Sequence, residues 1–136
     1  MCQHNNTLKN TGDHEMVVFK LLVPGKSAIR WITPYTRTQL VEGKQYDGGK
    51  LDIKYAKKRK SIGKGYFHCF ETYMDAVRAR RNAISGAICL IVKCIVPKNT
   101  AYYEGTYNYD VRDSKTLAVR SIILDRVVLN KEDAER

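Results

Sequence analysis

Residues 55–65, YAKKRKSIGKG, carry Lys57, Lys58, Arg59, Lys60 and Lys64 and lead at once into the aromatic run Tyr66-Phe67-His68-Cys69-Phe70. Lysine supplies a point charge and arginine a planar fork, and the Gly63-Lys64-Gly65 turn can aim backbone N–H groups at a phosphate. It is not a Walker loop, because the lysine is followed by Gly65 rather than by Ser or Thr. Aromatic rings next to cations suit nucleic acid, since rings stack on bases while cations hold the backbone. The pattern predicts an anion site built from Lys57, Lys58, Arg59, Lys60, Lys64, Tyr66, His68, Arg78, Arg81 and Tyr102. The same stretch also reads as a solvated turn running into a buried strand.

Other chemistries are weaker on spacing. A Cys–His pair can make an activated nucleophile. Here His68 and Cys69 are adjacent on a predicted strand, so their side chains face opposite ways. Cys89 and Cys94, five apart, do the same. Four cysteines and three histidines are present, but no CxxC or HxxxH spacing joins them, so no metal site is predicted. No cofactor is expected. The nine tyrosines suit a ligand cleft, a protein interface or a thinly covered sheet.

The elements that must position these residues follow from periodicity and turn signals. Residues 1–15 are polar and read as a flexible tail. Residues 16–23, MVVFKLLV, alternate as a strand, with Val17, Phe19, Leu21 and Val23 on one face and Met16, Val18, Lys20 and Leu22 on the other. Short strands are expected over 28–33, 40–41 and 51–55, separated by Gly-rich turns, and another over 66–70. Thr72 and Asp75 form an acidic capping box that starts a helix over 72–84. Its inward stripe is Tyr73, Ala76, Val77, Ala83 and Ile84. Arg78, Arg80 and Arg81 fall in its second half, where cations favour the helix dipole.

Residues 87–96, AICLIVKCIV, make a strand apolar on both faces but for Lys93, hence central in a sheet. Strand resumes at 101–103, and Glu104-Gly105 is read as a turn followed by a loop over 107–110. The stretch 116–129 is a strand broken near Arg120-Ser121 or Asp125-Arg126, and 131–136 is a polar tail. One main helix among six to eight short strands predicts an α+β fold with a mixed or mainly antiparallel sheet over residues 16–130. The regular alternation of a doubly wound fold is absent.

The 136 residues suffice for one domain with a real core. Net charge is +10, and residues 20–64 hold most of the excess, with twelve Lys/Arg against three acids. Such a field attracts nucleic acid, nucleotides or acidic protein surfaces. No apolar leader or membrane-length run is visible, so free thiols in a reducing cytoplasm are expected.

The run Cys94-Ile95-Val96-Pro97-Lys98-Asn99-Thr100-Ala101-Tyr102-Tyr103 resembles an IPKGTxYY strand–turn–strand, with Asn99 where glycine is usual. Gly65-Tyr66-Phe67-His68-Cys69-Phe70 resembles the G-(F/Y)-H-x-F stretch of the same group, a loose set of small phage- and prophage-encoded proteins. That resemblance implies an accessory protein acting on host machinery. The function expected is a non-enzymatic binding module for an anionic partner, nucleotide or nucleic acid. Its purpose would be counter-defence, by sequestering a signalling nucleotide or blocking a nucleic-acid effector. Some members look like the ADP-ribosyltransferase architecture, which would require an Arg such as Arg30, a Ser-Thr-Ser strand that this chain lacks, and a late Glu, for which Glu104 is a poor match. A third expectation is a self-associating structural protein.

Overall fold

The computed structural model describes residues 3–24, 30–32, 39–48, 61–62, 66–81, 89–107 and 114–136. The anticipated strand over 51–55, the helix residues 82–84 and the loop over 108–110 lie outside them. Eleven strands and two helices fall within: β1 (Gln3–Asn10), β2 (Met16–Pro24), β3 (Arg30–Ile32), β4 (Gln39–Val41), β5 (Gln45–Asp47), β6 (Ser61–Ile62), β7 (Phe67–Cys69), α1 (Tyr73–Arg81), β8 (Leu90–Val96), β9 (Ala101–Tyr107), β10 (Ser114–Val119), β11 (Ser121–Val128) and α2 (Lys131–Glu135). The class is α+β and the described pairings are all antiparallel, but the strands outnumber the six to eight expected.

The strands form a five-stranded sheet, β6-β1-β9-β10-β7, and a six-stranded sheet, β4-β3-β2-β8-β11-β5. Three stretches of chain, 3–24, 90–107 and 114–128, each supply a strand to both sheets. They run side by side as β1, β9 and β10 in one sheet and as β2, β8 and β11 in the other. The ribbon therefore folds over at a corner. Asn99 takes φ +54° and Gly12 φ +67° at that corner. The Asn99 N–H donates to the Gly12 carbonyl at 2.8 Å, and the Thr11 hydroxyl donates to the Pro97 carbonyl at 2.8 Å. On the third stretch the chain passes between sheets at Arg120, one of the two alternative positions expected for the break. At the alternative position, near Asp125, β11 is continuous and shows only a register shift between Leu124 and Arg126.

Folding the ribbon over encloses a core between the sheets: Val18, Leu22, Leu40, Cys69, Val92, Cys94, Val96, Leu117, Val119, Ile122 and Leu124. On the far face of the six-stranded sheet, Phe19, Leu21, Phe70, Ile91 and Val128 meet Ala76 and Ala79 of α1 and Ala134 of α2. Strand β2 is thus apolar on both faces because it lies between two cores, and β8, flanked by β2 and β11, has the central place its composition predicts.

Two expected tails are structured. Gln3–Asn10 is strand β1, paired to β9 from His4↔Thr106 to Asn10↔Ala101. Its side chains from Thr7 to Asn10 are exposed, which leaves no buried apolar alternation to read. The C-terminal segment folds as α2. Asn130 accepts the Asp133 N–H at 2.8 Å, and Asp133 takes the Arg126 guanidinium at 2.9 Å. Glu104 lies within β9 rather than in a turn, and Gln45–Asp47, not expected as a strand, pairs with β11.

Candidate functional site

Strand β7 links the candidate residues. The period-two alternation of 66–70 is realised: Cys69 enters the inter-sheet core with Phe67 packed against it, while Tyr66 packs on Tyr103 and Ala118 at the outer face of the five-stranded sheet. The register sets Leu8, Tyr103, Ala118 and His68 in one row across β1, β9, β10 and β7. Partners in register share a face, so His68 belongs with Tyr66 and Tyr103. The Tyr66 and Tyr103 rings meet edge to face, centroids 6.4 Å apart at 81°.

Tyr102, offered with Tyr66 and His68 as a stacking platform, turns the other way and packs on the inter-sheet core. The aromatic partner on the outer face is Tyr103. Adjacent residues of a strand point to opposite faces, and the sequence of two consecutive tyrosines carried no signal for choosing between them.

Helix α1 is where its cap predicts. The Asp75 N–H donates to Thr72 Oγ1 at 3.1 Å, and that hydroxyl donates to Asp75 Oδ2 at 2.8 Å. Ala76 and Ala79 are buried, with Tyr73 and Val77 packed beside them. Arg78, Arg80 and Arg81 are all exposed. Arg78 and Arg81, three residues apart, share the solvent side with Met74, whereas Arg80 lies near Cys89. Arg78 pairs with Asp75 at 3.3 Å. No ion pair engages Arg80 or Arg81 among the described residues.

The two halves of the expected site stand on different elements. Arg78, Arg80 and Arg81 are on α1, and Tyr66 and His68 are on the outward side of β7, whose continuation Phe70 packs under α1. Lys57, Lys58, Arg59, Lys60 and Lys64 lie outside the described residues.

Two further clusters emerge. On β9, Glu104 receives Lys9 at 3.0 Å and Lys115 at 3.4 Å, and Lys115 also pairs with Glu71. Burial pushes the Glu104 carboxyl up, but the two lysines more than offset it and hold it below the usual range. These groups come from strands far apart in sequence, so the cluster had no local signature.

The second is Lys20, a lysine whose residue is only 6% exposed. It shares the inward face of β2 with Val18 and Leu22, and its Nζ donates to the His68 carbonyl at 2.8 Å. Burial pulls its pKa below the ordinary lysine value, with Cys69 and Cys94 nearby opposing. Burial likewise pushes the Cys69 thiol up to about 12 and raises that of Cys94 strongly. Cys69, Cys89 and Cys94 are free thiols. The alternation of 16–23 set Lys20 on one face with Met16, Val18 and Leu22, and a lone lysine among apolar residues was the available clue.

No helix among the described residues is long and apolar enough to cross a membrane, and no cluster of three metal-ligating side chains occurs among them. The chain matches no family model, no curated protein and no solved structure.

Proposed function

We propose that the protein is a non-enzymatic binding module for a polyanion, with nucleic acid as its partner and the solvent side of α1 as part of its contact surface. The observation that carries this reading is the exposure of Arg78, Arg80 and Arg81 on one nine-residue helix. Arginine matches phosphate oxygens with a planar, permanently charged fork, and exposed cations on a convex helix suit an extended phosphate backbone better than an enclosed nucleotide. The net charge of +10 supplies the long-range attraction. The basic run 57–64 adds to it through the sequence alone.

In this reading Tyr66 and His68, on β7 rather than on α1, are not assigned to the contact surface. Arg30 and Glu104 stand on strands of different sheets, β3 and β9, and this separation weighs against a shared nicotinamide pocket. The biological purpose, masking a nucleic acid or its effector during phage infection, rests on the sequence resemblance.

Fluorescence anisotropy with labelled single- and double-stranded oligonucleotides tests the proposal. The variant carrying Arg78→Glu, Arg80→Glu and Arg81→Glu should bind at least about tenfold more weakly, since three reversed charges oppose the phosphates. Its melting temperature should stay near that of the parent. Unchanged affinity in a folded variant removes α1 from the interface. Absence of oligonucleotide binding, with a small nucleotide retained on the purified protein, replaces nucleic acid by nucleotide.

A further inference from the structure

We propose that Lys20 and Cys69 form an oxidative covalent link, a lysyl sulfenamide, that staples β2 to β7 across the junction of the two sheets. The geometry begins with Phe19 and Phe70, which exchange both backbone hydrogen bonds, at 2.8 and 2.7 Å. They form an antiparallel bridge between β2 and the end of β7. The next residues in that register are Lys20 and Cys69, which therefore face each other across the two strands. Phe19 and Phe70 point to the helical side, and Cys69 lies in the inter-sheet core together with the Lys20 neighbours Val18 and Leu22. The Lys20 amine bonds the His68 carbonyl, the peptide group that leads into Cys69.

The environment suits the reaction. Lys20 is buried without a carboxylate partner among the described residues, and that burial favours the neutral amine. A neutral amine is both a base and a nucleophile. With hydrogen peroxide as oxidant, Lys20 takes the Cys69 proton and the thiolate sulfur attacks peroxide. The O–O bond breaks, giving sulfenic acid, and the expelled hydroxide recovers the proton as water. The sulfur is oxidised by two electrons and the peroxide reduced by two. The Lys20 nitrogen then attacks that sulfur. An N–S bond forms, the S–O bond breaks, and hydroxyl leaves with an amine proton as a second water. Because Cys69 is held as a thiol, the first step is slow, and the link records sustained oxidant exposure. A disulfide to Cys94 is a poorer product, because β2 stands between β7 and β8. Two strand spacings put their Cα atoms about 9–10 Å apart, beyond the reach of roughly 7 Å that a disulfide allows.

The test treats the folded full chain with hydrogen peroxide, blocks remaining thiols, and maps peptides by mass spectrometry. The expected product has lost two hydrogens, joins the peptides containing residues 20 and 69, and is reversed by dithiothreitol. Lys20→Arg keeps a donor to the His68 carbonyl but has no nucleophilic amine, and should give no link. Cys94→Ser should leave it intact. A Cys69–Cys94 disulfide, or wild-type Cys69 oxidised to sulfinic acid with no link to Lys20, overturns the proposal. The wild-type map alone decides the matter if Lys20→Arg does not fold.

Discussion

Phe19 and Phe70 are joined by a reciprocal pair of backbone hydrogen bonds, although fifty-one positions separate them in the chain. That pair attaches β7, the edge of the five-stranded sheet, to β2 in the six-stranded sheet. Both rings pass under α1, Phe19 meeting Tyr73 edge to face with centroids 6.1 Å apart. The bridge thus connects sheet closure to the seating of the helix.

Phe70→Ala should be among the most damaging substitutions outside any binding surface. Phe70 is 1% exposed, and removing so large a buried ring costs about 3–5 kcal/mol through lost transfer energy and the cavity left behind. Urea denaturation measures this. A loss under about 1 kcal/mol contradicts the packing described, since core truncations of this size cost several times more.

Lys20 should make stability depend on alkaline pH. Its folded pKa is depressed, so between that value and the ordinary lysine value the unfolded chain binds the proton that the folded chain has lost. Stability then rises with pH across that window. The Cys69 thiol acts oppositely: raised from 9.0 to about 12, it contributes stability that is present below pH 9 and lost as pH rises through the folded value. Comparing Lys20→Met with the parent isolates the first effect. Their stability difference should shift in the parent's favour as pH rises towards 10.5. A constant difference contradicts a depressed Lys20.

Thr72→Ala should cost about 1 kcal/mol, because it strands the Asp75 N–H at the start of α1. Thr72→Ser should retain nearly all of the parental stability. Equal losses in both variants, seen by thermal melting, would assign the effect to the methyl group instead of the cap.

Asn99 occupies a left-handed conformation at the corner of the ribbon. Asn99→Gly should be neutral or mildly stabilising. Asn99→Val should lose about 1–2 kcal/mol, the cost of forcing a Cβ-branched residue into that region. Chemical denaturation of the pair checks it, and a tolerated valine contradicts the turn.

If α1 meets phosphates, affinity should fall linearly on a log–log scale as salt rises, by about 0.9 per phosphate neutralised. Arg81→Ala should lower that slope by about 1 and weaken binding alike on all sequences, as expected of a phosphate contact. A salt-independent affinity contradicts the electrostatic reading.

What the sequence determined by itself is local. The Thr72–Asp75 box sets the start of α1, because a cap and the N–H it satisfies lie three residues apart. The apolar run of β8 marks a central strand, and the break at Arg120 is visible between two apolar stretches. What only the tertiary structure decided is the set of contacts made over long separations. Gln3–Asn10 is a strand because β9, nearly a hundred residues later, offers its backbone. Tyr103 rather than Tyr102 joins Tyr66 because the pairing of β9 with β10 selects the outward parity. Phe70 lies under α1 because its backbone bridges Phe19, fifty-one positions earlier in the chain. Local signals specify which backbone atoms are satisfied within a turn or cap. Strand partners and the faces they turn to a core depend on chain closure, whose energy is spread over many residues, none of which carries it alone.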